Sequence, residues 1–96
     1  IYLVLPYDST QAHGKPHVDF PFPHLVLLYY VNDADGPTVF FDREHRVVRE
    51  VEPRKGRLLV FDGALLHGGG IPRRGPRCVV NFNLLCQPRA RQAAAG

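Results

Sequence analysis

His17-Val18-Asp19 places an imidazole and a carboxylate two positions apart. In an extended chain residues i and i+2 project to the same face, so both side chains can reach one metal ion. A third ligand has to come from elsewhere. His67 is the best-placed candidate, because it follows the apolar run Leu58 to Phe61 and comes just after the Asp62-Gly63 turn. Two imidazoles and one carboxylate on one side of a metal suit iron(II) and leave other coordination positions open for substrates and oxygen. Taken alone, a His-x-Asp triplet is a weak signal. His13, His24 and His45 lie in turn-rich or charged stretches and are expected at the surface.

Ten residues beyond His67, Arg77 opens the final apolar strand, Arg77-Cys78-Val79-Val80-Asn81-Phe82-Asn83. A guanidinium is permanently charged and offers a planar fork, which suits the distal carboxylate of a small diacid. Strand alternation puts Arg77, Val79, Asn81 and Asn83 on one face, opposite Cys78, Val80, Phe82 and Leu84. A polar face that points into a β-barrel needs partners, and a ligand pocket supplies them. Asn81 and Asn83 are therefore the expected substrate-side residues.

The elements that must position these side chains read as β-strands. Helical periodicity is nearly absent, and short β-branched and aromatic runs alternate with Gly, Pro, Asn and Asp from end to end. Strands are expected at Ile1 to Leu5, around His17 to Asp19, and at Leu25 to Val31, Thr38 to Phe41, Val47 to Val51 and Leu58 to Phe61. Two more are expected around His67 and at Cys78 to Leu85. Asn32-Asp33-Ala34-Asp35-Gly36-Pro37, Pro53-Arg54-Lys55-Gly56 and Asp62-Gly63 carry turn chemistry between them. About eight short strands punctuated in this way predict an all-β jelly roll, a double-stranded β-helix of cupin-like shape. Leu25 to Val31 is apolar on both faces, as expected of a strand covered on two sides.

The bulk properties fit one small domain. The chain has 96 residues, 45% of them hydrophobic, enough for one modest core. Residues 1–88 are expected to form the domain and residues 89–96 a small-residue C-terminal tail. Basic residues number 12 against 9 acidic, and all but Lys15 and Lys55 are arginines spread over turns, a pattern that reads as ordinary solubility rather than a nucleic-acid surface. No apolar run approaches the roughly 20 residues that span a bilayer, so no membrane partner is expected. Cys78 and Cys86 have neither CxxC spacing nor the density of a disulfide-stapled domain; two reduced thiols, and a cytoplasmic setting, are the expectation.

The ordered set His17-x-Asp19, Tyr29-Tyr30-Val31-Asn32, Gly36-Pro37-Thr38-Val39-Phe40-Phe41, Pro53 to Phe61, His67 and Arg77 resembles the 2-oxoglutarate/iron(II) oxygenase superfamily. The nearest likeness is to its prolyl-4-hydroxylase-like branch, and it runs from Tyr7 to Asn83. The resemblance implies Fe(II) held by His17, Asp19 and His67, and 2-oxoglutarate as cosubstrate. It also implies that Arg77 pairs with the far carboxylate, helped by the hydroxyl of Tyr30, with Tyr7 facing the cosubstrate. O2 would be consumed, succinate and CO2 released, and a C–H bond of a small-molecule or peptide substrate hydroxylated.

The chain also departs from that pattern. Only one glycine precedes Thr38, Asn83 stands where prolyl hydroxylases often carry a bulky residue, and the helices that usually precede the first core strand are missing. Two other classes stay open on sequence grounds: a cupin-like metal protein without 2-oxoglutarate, and a non-catalytic basic interaction module.

Overall fold

A computed structural model describes residues 2–6 and 13–85. Tyr7, Cys86 and the expected tail at 89–96 lie outside the described residues. Seven strands follow in chain order: β1 (Tyr2–Val4), β2 (His24–Tyr30), β3 (Thr38–Phe41), β4 (Val47–Val51), β5 (Leu58–Asp62), β6 (Leu66–Gly68) and β7 (Arg77–Leu85). No helix occurs among the described residues, and so none that is long and apolar enough to cross a membrane. The strands form two antiparallel sheets, one ordered β1-β7-β2-β5 and the other β4-β3-β6. This is the all-β architecture expected of a jelly roll.

The expected strand around His17 to Asp19 is reduced to a single bridge, His17 to His67. The two residues exchange both backbone hydrogen bonds, at 2.9 and 3.0 Å. Pairing stops there because Pro16, Pro21 and Pro23 crowd the segment, and proline has no N–H to donate to a ladder. A second bridge, His13 to Gly70, precedes it. The segment therefore runs along the free side of β6, and this places His17 beside His67.

The core lies between the sheets. Val26, Leu28 and Tyr30 of β2, Val79 of β7, Phe61 of β5 and Phe40 of β3 form one buried cluster, with Val51 and Leu59 packed on it. Phe40 and Phe61 meet edge to face at 4.8 Å, an arrangement that adds to their area burial. Each such side chain taken from water stabilises by about 1.5–3 kcal/mol. Strand β2 alternates in burial: Val26, Leu28 and Tyr30 are buried, whereas Leu25 and Tyr29 are about 40% exposed. Its second face is thus not covered by the described chain, contrary to the two-sided burial that its composition suggests.

Turns are fixed by residues suited to them. Gly36 and Gly56 adopt φ of 84° and 83°, the left-handed region that a Cβ disfavours. Gly63 lies in the turn expected of it, where Leu65 N–H donates to the Asp62 carbonyl at 3.0 Å, and it has a second purpose as well. Its φ is ordinary, but a Cβ there would collide with the ring of His24. His24 is accordingly not a surface residue: it is 2% exposed, covered by the approach of the Gly63 backbone and edged by Phe20 and Phe22. His45 is exposed as expected, and His13 is half-buried against Phe41.

Candidate metal centre and cosubstrate cavity

His17, Asp19 and His67 converge from two separate segments. Their candidate ligand atoms all lie within 4.8 Å of one another. The Nε2 atoms of His17 and His67 stand 3.3 and 3.4 Å from the same Oδ1 of Asp19. Each imidazole is oriented through its other nitrogen: Nδ1 of His17 donates to the Lys15 carbonyl at 3.0 Å, and Nδ1 of His67 to the Leu65 carbonyl at 2.9 Å. A carbonyl can only accept, so Nδ1 carries a proton, and in the neutral ring this leaves the Nε2 lone pair for a metal. Phe61 packs edge-on against the His67 ring at 4.9 Å and fixes its tilt. His67 is buried, Asp19 half-buried and His17 exposed, a gradient from core to cavity mouth. Two neutral imidazoles and a carboxylate are the donor set that iron(II) takes in a facial triad, so these residues fit the metal.

Arg77 occupies another part of the same cavity. Its Nε donates to the Gly36 carbonyl at 2.8 Å, and Nη2 to Thr38 Oγ1 at 2.9 Å. The guanidinium is 5% exposed and lies 5.9 Å from the centre of the Tyr30 ring, within reach of a cation–π contact. Burial lowers its pKa from the usual guanidinium value, and the nearby Tyr30 opposes that shift. It stays charged at neutral pH. A buried cation with no carboxylate partner among the described residues calls for an anionic ligand.

Thr38 is a site residue that spacing alone does not single out. It is 1% exposed and lines the cavity. Besides Arg77 it meets the Tyr30 hydroxyl at 2.5 Å. A hydroxyl has two lone pairs and one proton; if Oγ1 accepts from both Arg77 and Tyr30, its own proton is left for a ligand. The signal in the sequence was one hydroxyl at the head of an otherwise apolar strand, Thr38-Val39-Phe40-Phe41.

The cavity has a volume of about 250 Å3 and brings His17, Asp19, His67, Thr38, Arg77 and Asn81 to one wall system. That suits a small dicarboxylate, being just below the roughly 300–1,000 Å3 common for ligand clefts. The alternation of β7 is as expected: Arg77, Val79 and Asn81 face inward, and Phe82 and Leu84 face out. Two expected pocket residues do not reach the cavity wall. Tyr30 is fully buried behind Thr38, with burial raising the pKa of its phenol while Thr38 and Arg77 pull the other way. Asn83 follows Asn81 on the inward face of β7, but it is outside the lining, with its Oδ1 buried. The reason is the register: Asn83 pairs with Val26 and Asn81 with Leu28, so Asn83 is one step further from Arg77.

A search of curated proteins finds no match to this chain. The family model described as the 2OG-Fe(II) oxygenase superfamily matches residues 2–85, a span that contains the triad, Thr38, Arg77 and Asn81. That family implies Fe(II), 2-oxoglutarate and O2 as the reacting set, and the donor atoms described above suit each charged member of it. With most of its length matched and a His-Asp-His cluster in place, the chain belongs to the 2OG-Fe(II) oxygenase superfamily.

Proposed function

We propose that this chain hydroxylates a C–H bond of a small-molecule or peptide substrate, with His17, Asp19 and His67 holding the iron and Arg77 holding the far carboxylate of 2-oxoglutarate. The single observation that carries the reading is the pairing of two kinds of site in one cavity: three convergent ligand atoms and a buried guanidinium without a carboxylate among its recorded partners. A metal-binding jelly roll that did not use an anionic ligand would leave that cation without a counter-charge among the described residues. When bound, iron and 2-oxoglutarate supply the oxidising chemistry, with succinate and CO2 released as the substrate is hydroxylated.

The residues of the chain bind, orient and shield. The backbone carbonyls of Lys15 and Leu65 hold the two imidazoles in the tautomer that presents Nε2. Gly36 and Thr38 fix the guanidinium before any ligand arrives, which lowers the ordering cost of binding. Leu28, Val4 and Val79 give the cavity an apolar wall, which limits water around a reactive centre. The ordered pattern from Tyr29 to Arg77 favours the prolyl-4-hydroxylase-like branch within the superfamily.

The test is a screen of metabolites and peptides that follows succinate formation with iron(II), 2-oxoglutarate and oxygen supplied. Substrate-dependent succinate is the expected result. If iron-loaded protein neither binds 2-oxoglutarate nor forms succinate, the hydroxylase reading is wrong.

A further inference from the structure

The side-chain amide of Asn81 has one end accounted for. Its Nδ2 points to Oδ2 of Asp19 at 3.4 Å, while Asp19 Oδ1 faces the two histidines. A carboxylate has lone pairs only, so the amide must present its nitrogen there, and this fixes which end is the oxygen. The remaining atom, Oδ1, is buried with no hydrogen-bond partner among the described residues. Leaving an acceptor in that condition costs on the order of 1–3 kcal/mol.

No described residue of the cavity wall donates to this oxygen. The hydrogen bonds of Arg77 and Thr38 go to each other and to Gly36 and Tyr30, none of them to Asn81. The histidine Nδ1 protons go to backbone carbonyls. Among the described residues two other buried acceptors lack partners, Asn83 Oδ1 and His24 Nε2, the latter an acceptor in the neutral ring because Nδ1 donates to the Phe22 carbonyl at 2.8 Å. Both residues lie outside the cavity lining, so neither reads a ligand there. Asn81 alone among the three lines the cavity and touches a triad residue.

We propose that Asn81 Oδ1 accepts a hydrogen bond from an N–H or O–H group of the primary substrate, set next to the carbon that is oxidised. The inference rests on the oxygenase reading for the word "oxidised" and on geometry alone for the acceptor. The donor is a neutral one. The charges of a divalent metal and Arg77 are matched by Asp19 and the two carboxylates of 2-oxoglutarate, so the cavity carries no excess negative charge to draw an ammonium group. Secondary amides and alcohols meet this description. Asn81 thus has two roles from one side chain: Nδ2 positions Asp19, and Oδ1 selects the substrate.

The experiment uses nitrogen-15-labelled protein loaded with zinc(II) and 2-oxoglutarate, which is diamagnetic and cannot turn over. Three probes that differ by one N-methyl group at each step are titrated by NMR into wild type and Asn81→Leu, so that size is common to both proteins: acetamide, N-methylacetamide and N,N-dimethylacetamide, which carry two, one and no N–H donors. Acetamide and N-methylacetamide should bind about fivefold or more tightly than the dimethyl compound, the effect of satisfying a buried acceptor. The side-chain amide signal of Asn81 should move with them. In Asn81→Leu the preference should vanish. Equal binding of all three probes by the wild type, or binding of none, overturns the proposal without reference to any variant; so does a preference that survives in Asn81→Leu. The 2-oxoglutarate titration that precedes the probes reads the oxygenase assignment separately. Failure there with the donor preference intact sinks the cosubstrate and leaves the acceptor role of Asn81 standing.

Discussion

Arg77 donates from Nη2 to the hydroxyl of Thr38 at 2.9 Å, across 39 residues of sequence. This contact ties the first residue of β7 to the first residue of β3, and so one sheet to the other. It sets the guanidinium in place and gives Thr38, rather than the more deeply placed Tyr30, the position facing a ligand. Replacing Thr38 by Val keeps the shape and removes the hydroxyl. The dissociation constant for 2-oxoglutarate should rise about tenfold, from a lost hydrogen bond to a charged group. Tyr30→Phe should have a smaller effect, because the phenol meets Thr38 and not the cavity. Anaerobic titration of the iron-loaded proteins would show it; equal losses in both variants would mean that the phenol contacts the ligand directly.

Arg77→Ala should raise the same dissociation constant by about thirtyfold or more, corresponding to roughly 2–5 kcal/mol for unpairing a buried charge. Arg77→Lys should recover only part of that, since an ammonium lacks the planar fork held between Gly36 and Thr38. Iron affinity should be nearly unchanged in both. Wild-type affinity in Arg77→Ala would remove the carboxylate assignment.

Iron(II) should bind one per chain, measured by calorimetry under nitrogen. His17→Ala, Asp19→Ala and His67→Ala should each weaken binding by more than the roughly 10- to 100-fold typical of losing an outer-sphere partner. His17 is the cleanest of the three, because its side chain is 51% exposed and its removal leaves the core intact. Its apo protein should melt like the wild type while binding iron poorly. Retention of tight iron binding by all three variants would dissolve the triad.

Asp35 gives a stability prediction with a pH signature. Its carboxylate accepts from the backbone N–H of Arg73 at 2.9 Å and of Arg74 at 3.4 Å, and these bonds, the Arg73 one foremost, hold its pKa below the ordinary value of 3.8. A depressed folded-state pKa contributes stability that is complete above the unfolded value and is lost as pH falls through the folded one. Asp35→Asn should therefore melt at a lower temperature than wild type at pH 7, and the difference should shrink below about pH 4. A difference that is constant from pH 7 to pH 2 would show that the charge is not what clips the 33–36 turn to the loop before Arg77.

Gly63→Ala tests the close approach that keeps His24 buried. The added methyl group has to displace the imidazole, an overpacking that costs about 1–3 kcal/mol. The double variant Gly63→Ala with His24→Ala should recover part of the loss, since the ring is then gone. Thermal unfolding of the four proteins closes the cycle. Additive effects would mean that the two residues are not in contact.

The chemistry of this chain was written locally. His17 and Asp19 are two positions apart, and Arg77 begins an alternating strand, so which atoms face together follows from the pleat of an extended backbone. The all-β architecture follows in the same way from short apolar runs and turn residues, and Gly36 and Gly56 are where positive φ was needed. What the sequence could not contain is which segments meet. The pairing of His17 with His67 depends on a bridge between chain positions 50 residues apart, and Thr38 became a site residue only when β3 met Arg77. The burial of His24 and the retreat of Asn83 from the cavity have the same origin. Register and sheet-to-sheet contact decide them, and these are properties of pairs of strands, not of any one strand read alone.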